Sequence, residues 1–471
     1  METEKLLHIR SALQEHEQNL VRMSMSNPTA FSEEQLDGLR YILSFARLTI
    51  LRGKDGKDYE VFPFLTAHRT WVSDIVGHIF SSTNPVEGFR ENYTVLVEET
   101  LAQRRKVLHH FPIERVVLEK EVCERQLVLV LGGGGGGGYG YTGILQLLSQ
   151  YSLSPSLISG TSIGALVGMF RARSAVYDPL PMFEAAKRLR WNTVFRILEM
   201  NSRYGVPATL RLYLRAALGS MFHREDGGSM RFSDCPIPLL VVTTGLTMEA
   251  FKHDMSYYEH LMDGAISEGF RFGLSGLRKI RRGLGILQEF LSLEESLKEV
   301  VFGLDPHTQD AEILDAAGFS AAVPGLIHYD IIREAPHMHQ LLDRLYAEYG
   351  ITRLGEGGLV NNVPAKPAFQ AVMQGAIQAR NPFILALDCF SPQPTSLMWY
   401  PIQQLVARNV RANMPYMGQY IPLTKRLMAV NVVPNVEQIT KAMNWTMAEC
   451  TPHMPFISRM CQSHPILNEL R

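Results

Sequence analysis

Ser162 sits at the centre of Gly160-Thr161-Ser162-Ile163-Gly164, and a run of glycines, Gly132 to Gly138, stands upstream of it. A serine flanked by small residues at a sharp strand-to-helix turn presents its hydroxyl as a nucleophile. Bare backbone N–H groups in a loop between a strand and a helix attract an anion. A hydroxyl and a set of N–H donors are the two requirements of acyl transfer, a nucleophile and an oxyanion hole.

The elements that must position these groups are legible as hydrophobic runs. Gln126-Leu127-Val128-Leu129-Val130-Leu131 reads as a buried strand that feeds the glycines. Pro155-Ser156-Leu157-Ile158-Ser159 reads as a weaker strand before Ser162, and Ala165-Leu166-Val167-Gly168-Met169-Phe170 as an apolar helix after it. The competing reading of Ser162 is a plain helix N-cap. The glycine flanks and the apolar helix, which leave the serine as its polar tip, favour the nucleophile.

A serine nucleophile needs a base. His328, His337, His339, His453 and His464 come late enough in the chain to complete a triad, yet none stands in a recognisable setting. A carboxylate can serve instead, and three are followed by Gly-Gly or Gly-Ala after Ser162: Asp226-Gly227-Gly228 and Asp263-Gly264-Ala265, in polar or helical surroundings without a following strand, and Glu356-Gly357-Gly358. The third continues through Leu359-Val360-Asn361-Asn362-Val363-Pro364-Ala365, a tight loop that closes into a helix. Other uses of the glycines fit less well. Gly138-Tyr139-Gly140-Tyr141-Thr142-Gly143 has dinucleotide-binding spacing, but no acidic residue follows at a second strand end. No Gly-Lys-Ser or Gly-Lys-Thr follows to make a phosphate-binding Walker loop.

Residues 1–124 read as a mostly helical region, with a 3.6 period at 33–43 and 93–101. From 125 to 435 apolar runs at 126–131, 156–159, 237–244, 383–388 and 429–433 alternate with helical stretches. Such alternation predicts an α/β fold, a parallel or mixed sheet flanked by helices. Residues 247–312 interrupt it as a helical insertion, a candidate lid, with a basic cluster of Arg271, Arg278, Lys279, Arg281 and Arg282. Residues 436–471 form a C-terminal extension.

Bulk properties narrow the class. The 471 residues are 46% apolar and 20% charged, as in a folded globular protein, and the net charge of −1 argues against a nucleic-acid partner. Five scattered cysteines without a Cys-x-x-Cys point to neither zinc nor a disulfide framework, so no metal or cofactor is expected. The charged start, Met1-Glu2-Thr3-Glu4-Lys5, has no apolar segment behind it, and no stretch reaches membrane-spanning length. The expectation is a cytoplasmic protein that meets membranes from the surface.

These motifs, in this order over about 125–435, resemble the patatin-like phospholipases. The resemblance rests on the loop from Leu131 to Gly143, the Ser162 pentapeptide and the run Pro238–Thr244. Downstream it continues through Ser320-Ala321-Ala322-Val323-Pro324-Gly325 and Gly357-Gly358-Leu359-Val360-Asn361-Asn362-Val363-Pro364. It implies a hydrolase with a serine–carboxylate dyad and no histidine, acting on acyl esters of phospholipids or neutral lipids. By position it makes Ser162 the nucleophile, Glu356 the base, and backbone N–H groups of Gly133, Gly134 and Gly135 the oxyanion hole. Two departures stand out. The family's carboxylate is usually Asp, and its glycine loop usually carries Arg or Lys where Gly137 stands here; the 271–282 cluster is one candidate replacement. Two alternatives to a lipid acyl hydrolase therefore stay open: an inactive or atypical relative that binds lipid or a partner, and a general carboxylesterase. A protein activator acting through residues 1–124 is a further expectation.

Overall fold

The computed structural model describes residues 2–196, 203–250, 294–394 and 399–468. The chain divides into two compact units. One comprises Met1–Leu127, Phe369–Ile384 and Pro452–Arg471; the other comprises Val128–Ala368 and Leu385–Thr451.

The first unit is built on helices Glu2–Ser26, Glu33–Ala46, Thr66–Ser81, Pro85–His110 and Arg115–Cys123, with a hairpin of β1 (Ile50–Arg52) and β2 (Asp58–Glu60). Local chemistry starts these helices where it should. Ser32 Oγ accepts the Gln35 N–H at 3.1 Å while the Ser32 N–H donates to Gln35 Oε1 at 3.2 Å. Asn84 caps the helix that Pro85 opens. Leu13, Leu20, Leu39, Phe45, Val76 and Leu96 fill the space between them. Within this apolar core lies Glu17, 1% exposed. It is paired with Arg40 at 3.3 Å and with Arg47 and Arg125. Removing one member of a buried charge cluster strands the others without water. Glu17→Ala is therefore expected to lower the stability of this unit by about 3–5 kcal/mol, read from the denaturant midpoint.

The second unit holds most of a mixed sheet. Its strands are β3 (Gln126–Leu131), β4 (Leu157–Thr161), β7 (Leu239–Leu246), β8 (Leu297–Phe302), β10 (Arg353–Gly355), β11 (Pro382–Asp388) and β12 (Gln419–Pro422). β3, β4 and β7 run parallel, as do β11 and β12. Apart from Gln126 the middle strands are buried along their length, which is why they read as unbroken apolar runs rather than alternating ones. A smaller sheet, β5 (Phe195–Arg196), β6 (Ala208–Leu212) and β9 (Gly325–His328), stands apart from it.

The arrangement around β7 positions the chemistry. β8 pairs antiparallel with Val241–Leu246 and occupies one edge of the strand. The other edge is shared. β4 covers Leu239–Val242 in parallel, with Thr161 opposite Val242, and β10 covers Thr244–Leu246 in antiparallel, with Gly355 opposite Thr244. The two strands thus run towards each other along one edge and stop on either side of Thr243. Ser162 is the next residue after one end, and Glu356 the next after the other.

Three expectations need correction. The run 429–433 is not a strand: Ala429 and Val430 form a turn whose side chains, with Val432 and Val433, line a cavity. Its apolar residues face that cavity instead of a sheet, and the outer strand is β12, in register Leu385↔Gln419. The insertion is not helical throughout, because Leu297–Phe302 is strand β8, recruited by the open edge of β7. Residues 251–293, which include Asp263 and the cluster Arg271, Arg278, Lys279, Arg281 and Arg282, lie outside the described residues. The segment 436–471 is not one extension. Helix Val436–Cys450 belongs to the second unit, where it packs on helix Tyr141–Gln150, and residues from Pro452 belong to the first.

Candidate active site

Ser162 occupies a strained turn. Its φ of 55° and ψ of −123° make it one of two non-glycine residues with positive φ among those described. Such a conformation costs on the order of 1–3 kcal/mol and persists only where the surroundings impose it. They do so by close packing. A Cβ on Gly164 would stand 2.0 Å from the Leu131 carbonyl oxygen, so only glycine lets helix Ile163–Ala172 start this near to β3. The Ser162 N–H donates to Ser320 Oγ at 2.8 Å, and Ser320 Oγ donates to the Val242 carbonyl at 2.5 Å. The Ser320-to-Gly325 turn thereby ties the serine's backbone to β7, and the serine side chain is left at the positive end of an apolar helix.

Glu356 arrives from the opposite direction. Its N–H donates to the Ala322 carbonyl at 2.8 Å, and its own carbonyl accepts Thr244 Oγ1–H at 2.6 Å. Oε1 accepts the Gly358 N–H at 3.3 Å; Oε2 has no partner of its own. The point a Cβ on Gly133 would occupy is 3.1 Å from Ser162 Cβ and 3.5 Å from Glu356 Oε1, so loop, serine and carboxylate meet there. The extra methylene of Glu over Asp is accommodated. Burial pushes the Glu356 carboxyl up to about 8, while the Ser162 hydroxyl and the Gly358 N–H pull in the other direction. A carboxyl held near that value gains a proton readily and gives it up at mildly alkaline pH, which suits a general base.

The other candidate bases stand elsewhere. Asp226 is bound in its own turn by the Gly228 N–H and by Arg224. His328 is buried with Nδ1 on the Val206 carbonyl, His337 Nε2 contacts the Asp310 carbonyl, and His339 stacks on Tyr204. His464 packs edge-on to Tyr41 in the first unit, and His453 ends the short turn Thr451–His453. None of these lines the cavity that Ser162 and Glu356 share.

The glycine loop needs one correction. The Gly133 N–H is committed to the Asn362 carbonyl at 3.1 Å and is not available to an oxyanion. Gly134 and Gly135 carry N–H groups without an acceptor among the described residues, and both line the cavity beside Ser162. Gly135 has φ 57°, and a Cβ there would meet the Ala429 carbonyl oxygen at 2.2 Å, so the loop's shape depends on glycine at this position. The next donors are again committed, Gly136 to Ala429 and Gly137 to Gly134. At Gly137 a Cβ would lie 3.5 Å from Arg426 Cδ. The Arg426 guanidinium donates to the Ser391 carbonyl at 2.6 Å and the Leu423 carbonyl at 3.2 Å. A cation thus flanks the loop from a distant part of the chain, which no local signal in the sequence indicated.

The cavity measures about 400 Å³. Phe170, Phe183, Leu210, Ile327, Ile402 and Val433 are typical of its walls, and Glu356 is the one charged residue among the described lining. Apolar walls around a few convergent polar groups suit a ligand with a hydrocarbon portion and one reactive polar centre. Among the described residues no cluster of His, Cys, Asp and Glu could hold a metal ion, and no helix is long and apolar enough to cross a membrane.

Comparison with known proteins identifies the family. The family model of the patatin-like phospholipases matches residues 129–369. The chain is similar to lysophospholipase nte1 of Emericella nidulans, at 37% identity over 81 residues, 17% of this chain and 5% of that protein. It is similar to the protein of that name from Aspergillus fumigatus, at 39% over 71 residues, 15% of this chain and 4% of the other. Lysophospholipase NTE1 of Candida glabrata is 34% identical over 102 residues, 20% of this chain and 6% of its own length. The chain spans only about a twentieth of the length of these relatives.

The raised Glu356 value has a consequence for stability. A carboxyl whose folded-state pKa stands above its unfolded value contributes stability at low pH that is lost as pH rises through about 8. Glu356→Gln, neutral throughout, is expected to melt above the wild type at roughly pH 9. The gap should close as pH falls towards 4.5, the ordinary value of a glutamate; an equal gap at all pH values would show that Glu356 is not held protonated.

Proposed function

From the premise that the chain belongs to the patatin-like phospholipase family, we propose that it hydrolyses acyl esters of lipids through Ser162 and Glu356. The observation that carries this reading is the convergence on an apolar cavity of Ser162, Glu356 and the Gly134 and Gly135 N–H groups, which have no acceptor among the described residues. In this reading the acyl chain enters the cavity and its ester carbonyl comes to rest over Ser162. Glu356 takes the hydroxyl proton as Oγ forms a bond to the carbonyl carbon. The negative charge that develops on oxygen is met by the N–H groups of Gly134 and Gly135 and by the start of helix Ile163–Ala172. Collapse of the intermediate breaks the ester C–O bond, and the departing alcohol takes the proton from Glu356. A water molecule then gives a proton to Glu356 as it attacks the acyl-serine carbonyl; the carbon–Oγ bond breaks, Oγ takes that proton back from Glu356, and the fatty acid leaves. Without Ser162 or Glu356 there is neither nucleophile nor base.

A lysophospholipid is the natural first substrate, since the relatives above carry the name lysophospholipase and the described cavity wall offers no cation for a phosphate. The headgroup in this reading stays outside, at the lipid surface from which the acyl chain is drawn. The test is fatty-acid release from lysophospholipid micelles and from mixed phospholipid vesicles. Ser162→Ala is expected to abolish release, and Glu356→Gln to reduce it by roughly 10²–10⁴-fold. The wild-type kcat/KM should rise with pH and level off above about 8, because Glu356 acts only in its ionised form. Undiminished release by Ser162→Ala would refute the assignment. Full activity in Glu356→Gln would exclude this carboxylate as the base.

A further inference from the structure

Helix Tyr400–Asn413 lies beyond the segment that the family model matches, which ends at residue 369. Ile402, Val406, Asn409 and Asn413 recur along one face of it at helical spacing. The first two line the cavity. The asparagines serve another purpose. Asn409 Oδ1 accepts the Asn362 N–H at 3.0 Å, and Asn409 Nδ2 donates to the Gly358 carbonyl at 3.1 Å. One planar amide therefore spans the turn from Gly358 to Asn362. One helical turn on, Asn413 Oδ1 accepts the Lys366 N–H at 2.8 Å, and Asn413 Nδ2 donates to Asn361 Oδ1 at 3.0 Å.

Both residues that Asn409 holds are committed to the site. The Gly358 N–H is the backbone donor to Glu356 Oε1 at 3.3 Å. The Asn362 carbonyl receives the Gly133 N–H at 3.1 Å, and Asn362 Nδ2 donates to the Gly133 carbonyl at 3.5 Å. Glu356 is followed by two glycines, the residues with the most backbone freedom, so the turn's conformation has to be imposed from outside. An asparagine can impose it because its side chain carries a donor and an acceptor in one plane. We propose that Asn409 is a positioning residue that keeps the Glu356 carboxylate and the glycine loop in register with Ser162. The proposal rests on the serine–carboxylate reading above.

The test uses the full chain and a fluorophosphonate probe, which forms a bond from phosphorus to an activated serine oxygen and releases fluoride. Labelling rate is followed against pH for the wild type, Ser162→Ala, Asn409→Asp, Asn409→Ala and Arg408→Ala, with a melting curve for each. Asn409→Asp keeps the acceptor for the Asn362 N–H but turns an oxygen towards the Gly358 carbonyl. Its labelling rate is expected to fall roughly 10- to 100-fold, the scale of a small misplacement of a catalytic group. The pH midpoint is expected to move above that of the wild type, because Glu356 loses its steady Gly358 donor and gains a negative neighbour. Arg408→Ala, an exposed position on the same helix, should change neither quantity. A merely structural role for Asn409 would lower the melting temperature and leave the pH midpoint of the folded protein unmoved. Should Asn409→Asp not fold, Asn409→Ala decides by the same two readouts. Wild-type labelling with unchanged rate and midpoint in the folded Asn409 variant overturns the inference while the dyad stands. If the wild type is not labelled, or Ser162→Ala labels equally, the dyad reading fails and the inference falls with it.

Discussion

The site depends on one edge of one strand. β7 offers hydrogen bonds along Leu239–Leu246, and two strands of opposite direction share them, β4 up to Val242 and β10 down to Thr244. Neither can extend further without meeting the other. Each chain must therefore leave the sheet at Thr243, and the residues at which they leave are Ser162 and Glu356. The positive φ of Ser162, the Ser320 bridge to Val242 and the bond from Thr244 to the Glu356 carbonyl are local solutions to that double exit. Sheet topology thus accounts for the meeting of two side chains that are almost two hundred residues apart.

A carboxylate placed there is expensive to ionise. The same apolar walls that would accommodate a hydrocarbon chain remove water from Glu356, and its one backbone donor, the Gly358 N–H, offsets only part of the loss. Poor solvation and basicity have one cause, since a carboxylate left with few hydrogen bonds holds a proton more tightly. The first unit treats a buried carboxylate in the opposite way. Glu17 is surrounded by Arg40, Arg47 and Arg125, which suits stability and leaves the group nothing to do.

The glycine loop shows how backbone donors are sorted. Gly132, Gly133, Gly136 and Gly137 each donate to a named carbonyl, and these bonds fasten the loop to β11, to the Asn362 turn and to the segment at Ala429. Between the fastened ends, the N–H groups of Gly134 and Gly135 have no acceptor among the described residues. Both glycines are half-buried and line the cavity beside Ser162, so these donors are open to a ligand there. Seven successive glycines give the chain enough freedom to bend away from its own acceptors at that point and return.

Much of this was legible beforehand because it is local. Strand runs that are apolar throughout, a serine between glycines at a strand end, and a carboxylate before two glycines are short patterns whose physical meaning travels with them. They were enough for the α/β class, for Ser162 as the candidate nucleophile and for Glu356 among the candidate bases. Where sequence reasoning failed, the deciding partner was remote. Gly133 looks like its neighbours until the Asn362 carbonyl claims its N–H. The run at 429–433 has the composition of a strand, but it forms a cavity wall because β12 takes the edge of β11. Leu297–Phe302 follows a helical pattern until β7 offers it an edge. The Arg426 cation and the Asn409 clamp come from segments with no motif at all. By itself the sequence determined which residue types could act, since strain, flexibility and polarity are properties of a few adjacent residues. Only the tertiary structure decided which of those groups meet and which donors stay free, because a hydrogen bond is assigned by whichever partner the fold brings within about 3 Å.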